Sequence, residues 1–377
     1  MRSLSRDRRA PLLGLCLAAA IALPARAQDF DGDAIPDSIE TQSWYVAAGG
    51  SVERRDVWVE CDVMQGTLRK GPEMRRRVEE VFERAPVPGG IALHLVLDDT
   101  IPFEQQWGDI DTNSGLLEAY DRMLQEYDRS FDALPFTGAD AQTMRPWVHY
   151  CVFVQSIGGN GSTGVSFGIP ADLFLVALGQ YQGEVPGWLL RAGQAGTFLH
   201  ELGHNLGLTH GGARPQPHAN YKPNYLSVMN YHFQFAFVHR KNGDPAYFPY
   251  WDYSRARSNP LHERRLREEL GVVLPEDAVV ARTPAGDRLL GLTWCDGTRT
   301  AFEFNAPVDF DCDGGIEAGN VRADVTRDGR LTKLGRVQND WENLIFGTRG
   351  LRPGRRPLPL DPRTEMRRTD VESLLEP

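Results

Sequence analysis

The alternation of apolar and polar positions divides the chain into elements before any chemistry is read. Residues 56–64 read as a strand, and 72–84 as a helix that opens on proline. Residues 91–97 alternate towards a buried strand that stops at Asp98-Asp99. Two amphipathic stretches near 114–134 follow, then a strand through Cys151 (148–153), a short one over 163–167 and a continuous apolar one over 172–178. A helix is expected from about Gly187 through Leu206, and a further charged helix over 260–270 that ends at Gly271. Gly158-Gly159-Asn160-Gly161 is a turn, because nothing sets it between a strand and a phosphate-binding helix start. The aromatic run 247–253 reads as packing, and 339–346 as a short docking helix. From Arg349 onward four prolines predict an extended tail. Residues 55–200 therefore form an α/β layer.

The first 27 residues break this pattern. A basic start (Arg2, Arg6, Arg8, Arg9), an apolar run from Pro11 to Leu23 and Ala25-Arg26-Ala27 make a secretory signal cleaved before Gln28. No later stretch reaches eighteen apolar residues, so no membrane span is expected, and the mature chain is read as soluble and secreted or periplasmic. Cleavage removes five arginines and one aspartate, which moves the formal charge from −10 to −14. Such acidity disfavours nucleic acid as a partner and suits calcium. Four cysteines remain, and Cys61–Cys151 and Cys295–Cys312 are the expected disulfides of an exported chain.

The chemistry concentrates in His200-Glu201-Leu202-Gly203-His204-Asn205-Leu206-Gly207-Leu208-Thr209-His210. On a helix, His200 and His204 leave one face a turn apart and can bind one zinc ion at about 2.0–2.1 Å. Glu201 can reach the open coordination position and take a proton from bound water. Gly207 can end the helix in a left-handed turn, which lets His210 return as third ligand. Three protein ligands leave a fourth position for water, as catalytic rather than structural zinc requires.

Nineteen residues after His210 comes Met229, in Ser227-Val228-Met229-Asn230-Tyr231. Together with the histidine motif it resembles the metzincin clan of zinc endopeptidases, in layout over about residues 50–255. The resemblance implies a mostly parallel α/β (α+β) sheet with an antiparallel edge strand, here residues 164–168, that pairs with extended peptide. It also implies Met229 as an apolar floor beneath the imidazoles and Tyr231 as a group touching the metal or the transition state.

Acidic ladders flank this region. Asp29, Asp31, Asp33, Asp37 and Glu40 occupy positions 1, 3, 5, 9 and 12 of an EF-hand-like loop, with Ala34 where glycine is usual. Asp309, Asp311, Asp313 and Glu317 form a second ladder, and Asp324, Thr326 and Asp328 begin a third that Asp340 could close. The ladders resemble thrombospondin type 3 and dockerin-type calcium repeats. The expected layout is a signal (1–27), a calcium segment (28–48), a catalytic domain (49–271), a calcium-loop region (272–348) and a tail (349–377). The expected function is a secreted endopeptidase that needs Zn2+, is stabilised by Ca2+ and acts on protein or peptide substrates. A calcium-dependent extracellular binding protein with a non-proteolytic zinc site is the alternative.

Overall fold

The computed structural model describes residues 28–347 and 365–374, apart from 69, 132–134, 213–217, 256, 275–282 and 284–285. The signal segment and residues 348–364 of the tail lie outside the described residues.

Two short helices, α1 (Asp37–Glu40) and α2 (Ser43–Ala47), precede a sheet of five strands. Its members are β1 (Arg55–Met64), β2 (Ile91–Ile101), β3 (Val148–Phe153), β4 (Gly164–Ser166) and β5 (Leu173–Val176), in the order β2-β1-β3-β5-β4. All pairings are parallel except β4 with β5. Parallel neighbours need a crossover, and α3 (Gly71–Glu83) supplies it between β1 and β2. The period of two sends Val57, Val59, Cys61, Phe153 and Phe174 to one face of the sheet. Trp58, Tyr150, Val152 and Leu175 go to the other. The first face is covered by α3 and by α6 (Gly187–Asn205), and the second by α4 (Asn113–Ser130) with α5 (Ala139–Met144).

Several elements differ from the sequence reading. The two amphipathic stretches join as one helix, α4, whose N-cap Thr112 accepts the Gly115 amide at 3.0 Å. β2 runs past Asp98-Asp99 to Ile101, because it is an edge strand whose acids reach water. Cys61 and Cys151 are register neighbours on β1 and β3 but remain free thiols in the apolar layer, so that expected bond is absent. Cys295–Cys312 is present.

A second, antiparallel sheet is built from β6 (Phe237–Lys241), β7 (Asp244–Phe248), β9 (Leu289–Cys295) and β10 (Thr298–Phe302). Residues 260–270 are not helical. Leu261–His262 form β8 against β11 (Lys333–Leu334), and Leu266 bridges to Val321. The reason is that Glu263 and Glu268 turn inward and accept backbone amides of facing loops, which a surface helix would forbid. Residues 339–346 are not helical either, since Asp340 and Trp341 both point into the core. Residues 365–374 of the expected tail are docked rather than extended, with α7 (Arg368–Glu372) following a buried Met366.

Candidate metal centre

Helix α6 is buried along its last turns, because its glycines let neighbours approach. A Cβ on Gly203 would lie 2.4 Å from the Met229 sulfur, so glycine there is what admits the methionine beneath the helix. The helix ends at Asn205, and Gly207 takes φ +88°, the left-handed conformation that turns the chain back. This turn brings His210 to the other two histidines.

The Nε2 atoms of His200, His204 and His210 lie 3.0–3.1 Å from one another. The Nδ1–H of His200 donates to the Val228 carbonyl at 2.9 Å, and that of His204 to the Leu208 carbonyl at 2.8 Å. A carbonyl can only accept, so both rings carry their proton on Nδ1 and present lone pairs at Nε2. Burial keeps all three imidazoles below their usual pKa, His210 at about 3, so protons do not separate the nitrogens. Two lone pairs and the Nε2 of His210 thus converge on one point, where a cation would be held. Two tetrahedral zinc ligands at about 2.0–2.1 Å would stand about 3.3 Å apart, close to the observed triangle. The three histidines therefore fit a zinc site.

Glu201 is fully buried beside β4, where a Cβ on Gly164 would come 2.6 Å from its Oε1. Neither of its oxygens makes a hydrogen bond of normal geometry, and the Ser166 amide offers only a weak counterweight. Burial and then the charge of Glu365 raise its pKa well above the carboxylate range. Tyr231 places its hydroxyl 3.5 Å from His210 Nε2, and the Met229 sulfur lies against Gly203 of α6.

Sequence reasoning missed Glu365. Its Oε2 is 3.7 Å from Nε2 of both His200 and His210, and it accepts from the Tyr231 hydroxyl at 3.4 Å. It belongs to a segment read as extended tail. The signal was there in the apolar spacing Met366, Val371 and Leu374, all now buried in the core under α6. Beside it a cavity of about 610 Å³ is lined by Asn220, Tyr221, Tyr231, Asp328, Glu365 and Arg367, among others.

Asp340 does not close the third acidic ladder. It lies beneath the methionine turn and accepts from the Tyr225 and Ser227 hydroxyls and the Ser254 amide. Burial raises its pKa to about 6.

The acidic ladders differ among themselves. In the first, Asp29, Asp31 and Asp33 come within 4.8 Å of one another, as do Asp33, Glu40 and Asp56. Asp37 accepts the Phe30 amide. Both oxygens of the buried Glu40 and Oδ2 of Asp31 lack hydrogen-bond partners. Burial raises Asp31 to about 6, Asp33 to about 8 and Glu40 to about 9. Position 6, Ala34, adopts φ +73°, the glycine conformation. In the second ladder Asp309 and Asp311 meet the buried Glu268, and Glu317 lies against the same residue through its amide. Asp313 accepts the Gly315 amide. In the third, Asp324 accepts the Asp328 and Gly329 amides, and Glu263 holds Thr326 and Thr332.

No protein-family model and no curated protein matches the chain. Among solved structures, a zinc-dependent peptidase from Methanocorpusculum labreanum is similar at 14% identity, covering 46% of this chain and 87% of its own, with a TM-score of 0.29. Metalloproteinase-II from Bacteroides fragilis is similar at 12% identity, with 46% and 45% covered and a TM-score of 0.30. Archaemetzincin from Methanopyrus kandleri is similar at 16%, with 46% and 81% covered and a TM-score of 0.28. Scores this low carry no argument about what the chain does.

Proposed function

We propose that the chain is a zinc-dependent endopeptidase. The observation that carries the reading is the triangle of imidazole Nε2 atoms with a buried, weakly satisfied carboxylate on the residue after His200. Zinc at His200, His204 and His210 would supply a Lewis acid that polarises the scissile carbonyl and makes bound water acidic. Glu201 takes the water proton and passes it to the leaving amine. Tyr231 donates its hydroxyl to the developing oxyanion. Val228 and Leu208 hold two imidazoles by their carbonyls and so fix the tautomers that leave Nε2 free. The free edge of β4 offers backbone groups to an extended peptide.

Calcium at the first ladder accompanies this reading. Unpartnered buried carboxylates there call for a cation, and Asp29, Asp31, Asp33 and Glu40 are the oxygen donors. The two later ladders are proposed as further calcium loops, with Glu268 and Glu263 as their inner carboxylates. Secretion through residues 1–27 is part of the same proposal.

Casein cleavage by residues 28–377, with zinc content measured alongside, tests the reading. Activity lost to a zinc-selective chelator and regained with zinc is expected. Glu201→Gln should retain one zinc and lose activity by about 10²-fold or more. Full activity in that variant would overturn the general-base role. Glu365 across the fourth position favours one competing reading, a non-proteolytic zinc site in a calcium-dependent binding protein. That reading predicts one bound zinc and no cleavage in any variant.

A further inference from the structure

We propose that residues 365–374 form a built-in plug. The Glu365 carboxylate takes the coordination position across the three imidazoles, and the segment behind it occupies the groove in which a peptide would lie. The inference rests on the zinc reading of that site.

Access is the first argument. His200, His204 and Glu201 are fully buried and His210 is 1% exposed while the segment is docked, so no substrate can meet them. The second argument is the state of the carboxylate. Glu365 is 2% exposed, and its Oε1 has no hydrogen-bond partner. Its other oxygen has Tyr231 and faces two imidazole Nε2 atoms at 3.7 Å. A buried carboxylate so weakly satisfied is costly, and a dication held by the facing nitrogens removes that cost.

The third argument is the grip on the backbone. The Thr163 amide, immediately before β4, donates to the Met366 carbonyl at 3.0 Å. The Thr163 carbonyl in turn accepts the Ala177 amide just past β5, so this contact fastens the segment to the end at which β4 begins. The segment is then pinned outside the site. Arg368 pairs with Glu184 and lies 5.2 Å over the Tyr181 ring, and Asp370 accepts from the Tyr221 hydroxyl. Gly161 is required beneath it, because a Cβ there would fall 2.8 Å from that of Arg368. Met366 and Val371 complete the hold by packing into the core under α6. The Glu365 carboxylate, a backbone hydrogen bond at the start of β4, the contacts of Arg368 and Asp370 and two apolar anchors therefore close the site from within the same chain.

The test uses full-length mature chain (28–377) loaded with zinc or cobalt, as parent, Glu365→Ala and Val371→Asp. The second variant dislodges the segment without touching the metal set. Three readouts are taken: binding of acetohydroxamate to the cobalt form by visible absorption, hydrogen exchange at the Thr163 amide, and casein cleavage. If the docked state holds about 90% of the parent, hydroxamate should bind about tenfold tighter to both variants, because apparent affinity scales with the open fraction. Thr163 exchange and casein cleavage should rise by a similar factor. Equal hydroxamate affinity and equal Thr163 exchange in all three chains would overturn the plug, even if all three cleave casein. Hydroxamate affinity and exchange that rise while none of the chains cleaves casein would uphold the plug and overturn the peptidase reading. Circular dichroism and zinc content establish that each variant is folded. If Val371→Asp fails that check, Arg368→Ala replaces it with the same expected direction.

Discussion

Removing calcium should make the protein less stable as pH rises, opposite to the usual behaviour of carboxylates. In the calcium-free protein burial raises Glu40 from its ordinary 4.5 to about 9, with Asp33 adding to it. The unfolded chain loses that proton near pH 4.5, whereas the folded one keeps it until about 9. Between those values the folded state binds more protons than the unfolded, so stability falls as pH increases. One such proton over three pH units amounts to about 4 kcal/mol, at about 1.4 kcal/mol per unit. Asp33, raised to about 8, responds to the same neighbours, so its share is not added. Calcium at the proposed site would replace the proton. At a hundredfold excess over its dissociation constant it contributes about 2.7 kcal/mol, or roughly 4 °C in melting temperature for a chain of this length. The assay is thermal melting at pH 5 and pH 8, with calcium and with a calcium chelator, on parent and Glu40→Gln chains. Calcium should raise the melting temperature far more at pH 8 than at pH 5. Glu40→Gln should lose most of this increment and yet melt above the parent in chelator at pH 8, because it need not take up a proton to fold. An equal calcium increment at both pH values, or one unchanged in Glu40→Gln, would refute the reasoning.

Two substitutions at backbone positions test the site from other directions. Gly164→Ala would put a Cβ 2.6 Å from Glu201 Oε1 and 2.8 Å from the Leu175 carbonyl. That carbonyl is fixed by β4–β5 pairing, so Glu201 must yield; kcat should fall about 10–100-fold with zinc content unchanged, and an unaltered kcat would contradict the placement. Ala34→Gly relieves a left-handed alanine at the turn of the first ladder and should raise stability in calcium by about 1 kcal/mol, read as a higher melting temperature. A fall in melting temperature would mean the strain has been misread.

What the sequence made legible follows from spacing within one element. The histidine motif is local, so helix geometry and one glycine turn suffice to bring His200, His204 and His210 together. The parallel strands were legible because their apolar runs were bounded by turn residues. Residues that act at long range were not. Glu365 lies 155 positions beyond His210, and no period links a tail carboxylate to a helix. Asp340 read as the close of an acidic ladder because its neighbours are acidic, but the hydroxyls of Tyr225 and Ser227 drew it inward. Residues 260–270 carry enough charge for a surface helix; two of those charges instead serve as acceptors for loop amides, an outcome set by partners about 40–70 positions away. Cys61 and Cys151 stand side by side in register yet serve as small apolar groups.

The carboxylate of Asp340 bears on how the protein is made. His200 owes its orientation to the Val228 carbonyl, and the turn that carries Val228 is braced through Ser227 by Asp340. Trp341 then stacks edge-on to Tyr253, whose hydroxyl donates to the Leu199 carbonyl on α6. A chain emerging from the ribosome thus carries all three histidines about 130 residues before the brace that steadies them. Throughout that interval the nascent chain has the three histidines but not their frame, so the site can be set only after residues 340 and 341 have emerged.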